Sequence, residues 1–365
     1  MPVKVLAAAR LGVALAAAGA LLALTSGVAQ ASGPVSGTEA VIAVGNELAA
    51  PVVSPDGATA YVVTATPQGN LVLTTVDTRS GAASARLALG PNRWFVHAAL
   101  SADGSRLYVL DYLDLSVIDV PSMSLLGTVA LPDQPRPADS RVGWPAGIAL
   151  SPDGSTLYVS QSGSLTAGRL GKGRVLAFST AQRVFTSSVE FPASIPGNLV
   201  VRPGGRDLYV GSEAGVMHLN VAGAAPVVTR VVAGTATGQD SQLAFSPDGR
   251  RLFALNGAYG GAGDEIDPAT DTVTRHFTLT GGSALLAFPQ VSPDGRRLYA
   301  VDNSMEKGPS VFVLDTATDT VVPEEAQPLN EEGLNGFVVG PDGHTLYAGG
   351  TVASTANLQI VSLPQ

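Results

Sequence analysis

From about residue 38 onwards, apolar residues alternate with polar ones or run in fours and fives, and Gly, Pro, Asp or Ser interrupts every few positions. Such a pattern predicts short β-strands joined by tight turns, with almost no helix. One unit shows it clearly. The apolar run Gly147-Ile148-Ala149-Leu150 meets Ser151-Pro152-Asp153-Gly154, and a second apolar run, Leu157-Tyr158-Val159, follows. Proline presets φ at the first turn position, aspartate bonds back to the backbone, and glycine takes the φ > 0 position that a side chain resists. The unit is therefore a strand, a turn and a strand.

It recurs along the whole chain. Its turn glycines are Gly57, Gly104, Gly154, Gly205, Gly249, Gly295 and Gly343, spaced 47, 50, 51, 44, 46 and 48 residues apart. A second element follows in most copies, clearest as Val311-Phe312-Val313-Leu314-Asp315-Thr316-Ala317-Thr318-Asp319-Thr320-Val321 and again from Glu265 to Val273. It too is strand, Asp-led turn, strand. Four strands per period of about 48 residues define a β-propeller blade. The fold class expected is all-β, a seven-bladed propeller of four-stranded blades. The last repeat has three strands of its own. Glu39-Ala40-Val41-Ile42-Ala43-Val44, ahead of the first turn, is expected to supply the fourth and close the ring.

The repeats resemble the YVTN-type (YncE-like and surface-layer) propeller family, with Trp144-Pro145 through Val159 matching its first half and Val311 through Val321 its second. The resemblance covers the chain after its first segment. It implies a propeller fold and is nearly silent on activity. The position that is Asn in the family motif varies here, through Thr64, Asp111, Gln161, Ser212, Asn256, Asp302 and Gly350.

Residues 1–31 have a different character. Lys4 and Arg10 precede an apolar stretch from Leu11 to Leu24, and Ala29-Gln30-Ala31 forms an A-x-A cleavage pattern. This predicts a secretory signal peptide, shorter than a membrane span. Residues 32–37 are expected to be a leader and 38–365 one propeller domain. The mature chain is then expected outside the cell or at the cell wall, as a monomer without a membrane span. Its charge, −9 for the full sequence, argues against nucleic acid as partner. With no cysteine, thiol chemistry and disulfides are excluded.

No nucleophile elbow or phosphate loop is present. Gly260-Gly261-Ala262-Gly263 is expected to be flexible loop. The four histidines, His97, His218, His276 and His344, lack metal-ligand spacing. Neither metal nor cofactor is expected. Asp264, Glu265 and Asp267 are acids of the kind that bind Ca²⁺, but an acidic protein mostly solvates such clusters.

In propellers, ligands are usually met by the face carrying the blade-to-blade and second-to-third-strand loops, an expectation from fold alone. Arg93 and Trp94 lie in one such loop, and Arg141 and Trp144 in the next. Arg beside Trp on a loop is common binding chemistry, although a Trp also caps blade stacks. One position in each first strand holds Ala50, His97, Gly147, Asn198, Gln242, Phe288 and Gly336. His97, Asn198 and Gln242 are its polar members, placed to approach the channel mouth or to satisfy backbone groups. Asp111, Asn256 and Asp302 end second strands on the same face. The function expected is a binding or protein-interaction scaffold for an unidentified protein or small molecule. The alternative is a lactonase-like hydrolase or lyase using His97, Arg93 or Arg141, and Asp111 or Asp302.

Overall fold

The computed structural model describes residues 38–47, 49–93, 95–235, 242–256, 261–279, 286–302, 309–322, 327–329, 333–352 and 355–363. All of its regular structure is β-strand, in seven blades around an axis. Blade 2 is representative. Its antiparallel strands Val96–Leu100, Arg106–Asp111, Asp114–Asp119 and Ser124–Ala130 pair in chain order from the axis outwards. First strands of successive blades touch around the axis, and Gly336 of blade 7 meets Ala50 just ahead of blade 1.

The ring closes as the strand count requires. Thr38–Glu47 pairs antiparallel with Thr355–Ser362, Ile42 opposite Leu358, and becomes the outermost strand of blade 7. Its end also pairs with blade 1, Asn46 opposite Ala65.

The residues after each turn build the core. Leucine faces the preceding blade and the aromatic faces the next, because neighbouring strand residues point to opposite faces. Tyr61 therefore shares a buried cluster with Leu107, Tyr108 with Leu157, Tyr158 with Leu208, and Tyr209 with Leu252. Phe253 does so with Leu298, Tyr299 with Leu346, and Tyr347 with Ala60 across the closure.

In the turns, the Ser101 hydroxyl donates to Asp103, which also accepts the Ser105 N–H. The Ser101 and Ser105 bonds hold the Asp103 carboxyl down to about 2. Threonines of third-to-fourth-strand turns donate to the turn carbonyls Gly57, Gly154 and Gly295, so both turn types share one face, the turn face. There each proline abuts the next blade's glycine. A Cβ on Gly104 would stand 3.0 Å from Pro55, and one on Gly249 3.1 Å from Pro203. Blade 2 has Ala102 instead, and the space beside Gly154 is open. Ala102→Pro should therefore raise stability by about 0.5–1 kcal/mol through a stiffer unfolded chain and a filled contact. Urea unfolding tests this, and a lowered midpoint contradicts it.

One expectation is corrected. Ala262 and Gly263 are strand, not loop, within Ala262–Asp267. Gly263 is needed because a Cβ there would lie 2.4 Å from the Phe277 ring. Close packing selected this glycine, and flexibility did not.

Candidate functional site

Among the described residues, the loop face is most elaborated where blade 2 passes to blade 3. The connection from Leu131 to Trp144 is the longest between blades. It is held by Arg174, the first residue of strand Arg174–Ser179 and only 3% exposed. Its Nε donates to Gln161 Oε1 at 2.8 Å, its Nη1 to the Asp133 carbonyl at 3.0 Å, and its Nη2 to the Pro132 carbonyl. Gln161 Nε2 donates to the Gly143 carbonyl at 2.8 Å. Buried Gln134 accepts the Gly143 N–H and donates to the Ser162 carbonyl. Ser162 Oγ accepts the Trp144 N–H at 2.9 Å. Burial holds the Arg174 guanidinium below its usual range, opposed by Asp133 and Glu190. Gly143 has no alternative, since a Cβ would fall 2.0 Å from the Ser162 oxygen. A buried polar network satisfied in this way fixes a loop in one conformation.

The fixed loop presents Trp144. Its ring stacks on Phe95 with centroids 6.1 Å apart and planes at 19°, and Phe95 lies 6.2 Å from Tyr112. The Tyr112 hydroxyl donates to the Val142 carbonyl at 3.3 Å. Phe95 is 39% exposed, and Trp144 and Tyr112 are half-buried. Phe95 and Tyr112 have φ of +56° and +52°, a region that bulky side chains resist at a cost of about 1–3 kcal/mol each.

A hairpin flanks the aromatics. Leu165–Thr166 and Arg169–Leu170 pair across Ala167 and Gly168, whose φ values of +48° and +80° suit a tight two-residue turn. Arg141 extends it, exchanging two 2.9 Å backbone bonds with Leu165. The side chains of Arg141, Arg169 and Lys172 are exposed, and none makes an ion pair or hydrogen bond among the described residues.

Arg93 and Asp111 lie beside this surface. Both Asp111 oxygens accept the Arg93 N–H, at 2.9 and 3.0 Å, while the Arg93 guanidinium pairs with Asp114. Burial above all, with Asp114 adding, pushes the Asp111 carboxyl up to about 6, against the pull of Arg93. A void of about 40 Å³ adjoins it, lined by Leu71, Val109, Ser116 and Thr128 among others, enough for water but not a ligand. Between about pH 4 and 6 the folded chain keeps the Asp111 proton that the unfolded chain has lost, so this group's contribution to stability falls as pH rises. Asp111→Asn should flatten that part of the stability profile, measured by urea unfolding from about pH 4 to 6.5. An unchanged slope contradicts the assignment.

The remaining expected residues are spread around the ring. His97 sits in Val96–Leu100 opposite Leu110, half-buried. Asn198 ties blade 4 to blade 5, with Nδ2 donating to the Leu243 carbonyl at 3.0 Å and Oδ1 accepting the Leu243 N–H at 2.7 Å. Its amide thus satisfies backbone groups. Gln242 starts strand Gln242–Phe245 opposite Leu255. Asn256 follows Leu252–Leu255 and donates its N–H to Ala262. Asp302 ends Arg297–Asp302 opposite Ser310. Trp94 lies outside the described residues.

Other titratable clusters join blades. His218 lies between Asp271 at 2.8 Å and Asp207 at 3.1 Å and stacks on Tyr209, whose hydroxyl donates to Asp271. Burial first, then Asp271, pushes the Tyr209 pKa up. One blade on, Asp319 holds the equivalent turn position, paired with Arg275, and burial with the Asp319 charge raises the Glu265 pKa against Arg251 and Arg275. Asp264 pairs with His276. Among the described residues, no three acidic or imidazole groups form a metal-ligand set.

The sequence singles out Arg141 and Trp144 in this region but not Phe95, Tyr112, Gln134, Gln161 or Arg174, which the structure places around them. Arg174 and Gln161 did carry a signal: each is a polar residue bounding an apolar strand.

No protein-family profile matches the chain. In sequence it is similar to the seven-bladed beta-propeller protein Rv1057 of Mycobacterium tuberculosis, 28% identical over 129 residues. That stretch spans 35% of this chain and 30% of the mycobacterial protein. In backbone it is similar to a chain of Kuenenia stuttgartiensis hydrazine synthase, with TM-score 0.68 and 19% identity, over 90% of this chain and 99% of that one. It is also similar to a chain of the mitotic checkpoint complex, with TM-score 0.68 and 16% identity, over 95% of this chain and 99% of that one. At such identities the likeness is one of fold alone.

Proposed function

We propose that this chain is an exported propeller of the YVTN type that works as a binding scaffold, and that the loop face at blades 2 and 3 is its binding surface. The propeller fold supports a binding role in general. The observation that carries the location is the aromatic group Phe95, Tyr112 and Trp144, held at the surface by a buried polar network and by two residues at unfavourable φ. A surface that is rigid before a ligand arrives loses little entropy on binding. Export rests on the sequence pattern of residues 1–31, with cleavage expected after Ala31.

The lactonase-like alternative needs a histidine, an arginine and a carboxylate around one point. Here Asp111 is taken up by the Arg93 backbone and the Arg93 guanidinium by Asp114, which favours the binding reading. A thermal-shift screen of sugars, peptides and small metabolites tests it, because a ligand of the folded state raises the melting temperature. Compounds that stabilise the wild type are expected to lose their effect on Trp144→Ala. Retained shifts in that variant, or lactone turnover by the purified protein, overturn the proposal.

A further inference from the structure

Resting on that reading, we infer that the blade 2–3 surface takes an anionic saccharide, its ring on the Phe95 and Trp144 aromatics and its acid groups on Arg141 and the basic hairpin. Three observations converge. The aromatic rings of Phe95, Tyr112 and Trp144 are partly exposed, and none of them lines the small void beside Asp111. An exposed aromatic platform suits a sugar ring, which offers a flat array of C–H groups, better than a peptide side chain that must be buried to gain affinity. Next, Arg141, Arg169 and Lys172 are exposed and form no ion pair with a carboxylate among the described residues. Nearby Arg93 and Arg136, by contrast, are paired with Asp114 and Asp133.

Cations gathered at one hairpin and at the residue bonded to it, in a chain with net charge −9, mark a place where an anion is attracted. Finally, the two chemistries are mechanically joined. Arg141 is bonded to the hairpin at Leu165, and Val142 beside it accepts the Tyr112 hydroxyl, so the basic and aromatic parts move as one piece.

The test is calorimetric titration of the full-length protein with three polymers at low ionic strength: polygalacturonate, neutral dextran and poly-glutamate. Polygalacturonate is expected to bind and dextran not to bind. Trp144→Ala should weaken polygalacturonate about tenfold or more, and Arg141→Gln about tenfold. The double change Arg169→Gln with Lys172→Gln should do the same, and added salt should weaken the wild type further. Arg79→Gln, exposed on the turn face, should leave binding unchanged. Because the Arg141, Arg169 and Lys172 side chains have no partner among the described residues, those variants keep the fold even if Trp144→Ala does not, and an unchanged melting temperature verifies this. Tighter binding of poly-glutamate overturns the saccharide assignment in favour of an acidic peptide. Absence of polygalacturonate binding, or equal binding by the arginine and lysine variants, overturns it outright. Screening hits that depend on Trp144 would then still uphold the broader binding role, so the two failures are distinguishable.

Discussion

Deleting residues 38–46 is expected to lower the melting temperature of the entire chain by about 10 °C or more, and not merely to fray one blade. Thr38–Glu47 is the outer strand of blade 7, and Ala40, Ile42 and Val44 share a cluster with Tyr347, Leu358 and Ile360. The same cluster holds Ala60, Val62 and Val76 of blade 1. Burying an aliphatic side chain of that size contributes about 1.5–3 kcal/mol, so the strand supplies several kcal/mol. Total stability is typically about 5–15 kcal/mol. The deletion also bares the outer edge of Thr355–Ser362. A ring that opens at one interface loses the closure that the other interfaces depend on. Calorimetry of the truncated chain checks this, and a melting profile matching the full chain contradicts it.

Arg174→Met is the second large effect. The methionine fills much of the volume but leaves the Pro132 and Asp133 carbonyls and Gln161 Oε1 without their donor. Hydrogen bonds to a charged group contribute about 1.5–3 kcal/mol each, and a buried acceptor left unpaired costs more than one paired with water. A loss of about 3–5 kcal/mol is expected, together with loosening of the 132–144 loop and weaker ligand binding. Gln161→Leu should act in the same direction and less strongly. A change under about 0.5 kcal/mol for Arg174→Met would show that the network is not what holds the loop.

The ring was legible in the sequence because its signals are local. Ser-Pro-Asp-Gly chemistry, the Leu-Tyr pair and the count of strands in the last repeat each reside within a few residues. The closure by a strand ahead of the first turn, expected over Glu39–Val44, followed from that count alone. Part of the proposed binding surface was legible for the same reason: Arg141 and Trp144 stand out in one loop. The rest was not, because Arg174, Gln161 and Gln134 come from three separate stretches and reveal their roles only when the loop folds back over blade 3. Phe95 and Tyr112 look like ordinary strand-end aromatics until their left-handed backbones and shared stacking are seen. Asn198 shows the converse. It breaks the repeat conspicuously, yet the partner that explains it is the backbone of Leu243 in the next blade.

The most direct measurement is differential hydrogen exchange of the wild-type chain with and without the most stabilising compound from the thermal-shift screen. Protection is predicted to concentrate at Phe95–Val96, Tyr112, Arg141–Trp144 and Leu165–Leu170. Protection centred on the turn face, or on the axial residues Asn198 and Gln242, would contradict the placement of the binding surface at blades 2 and 3.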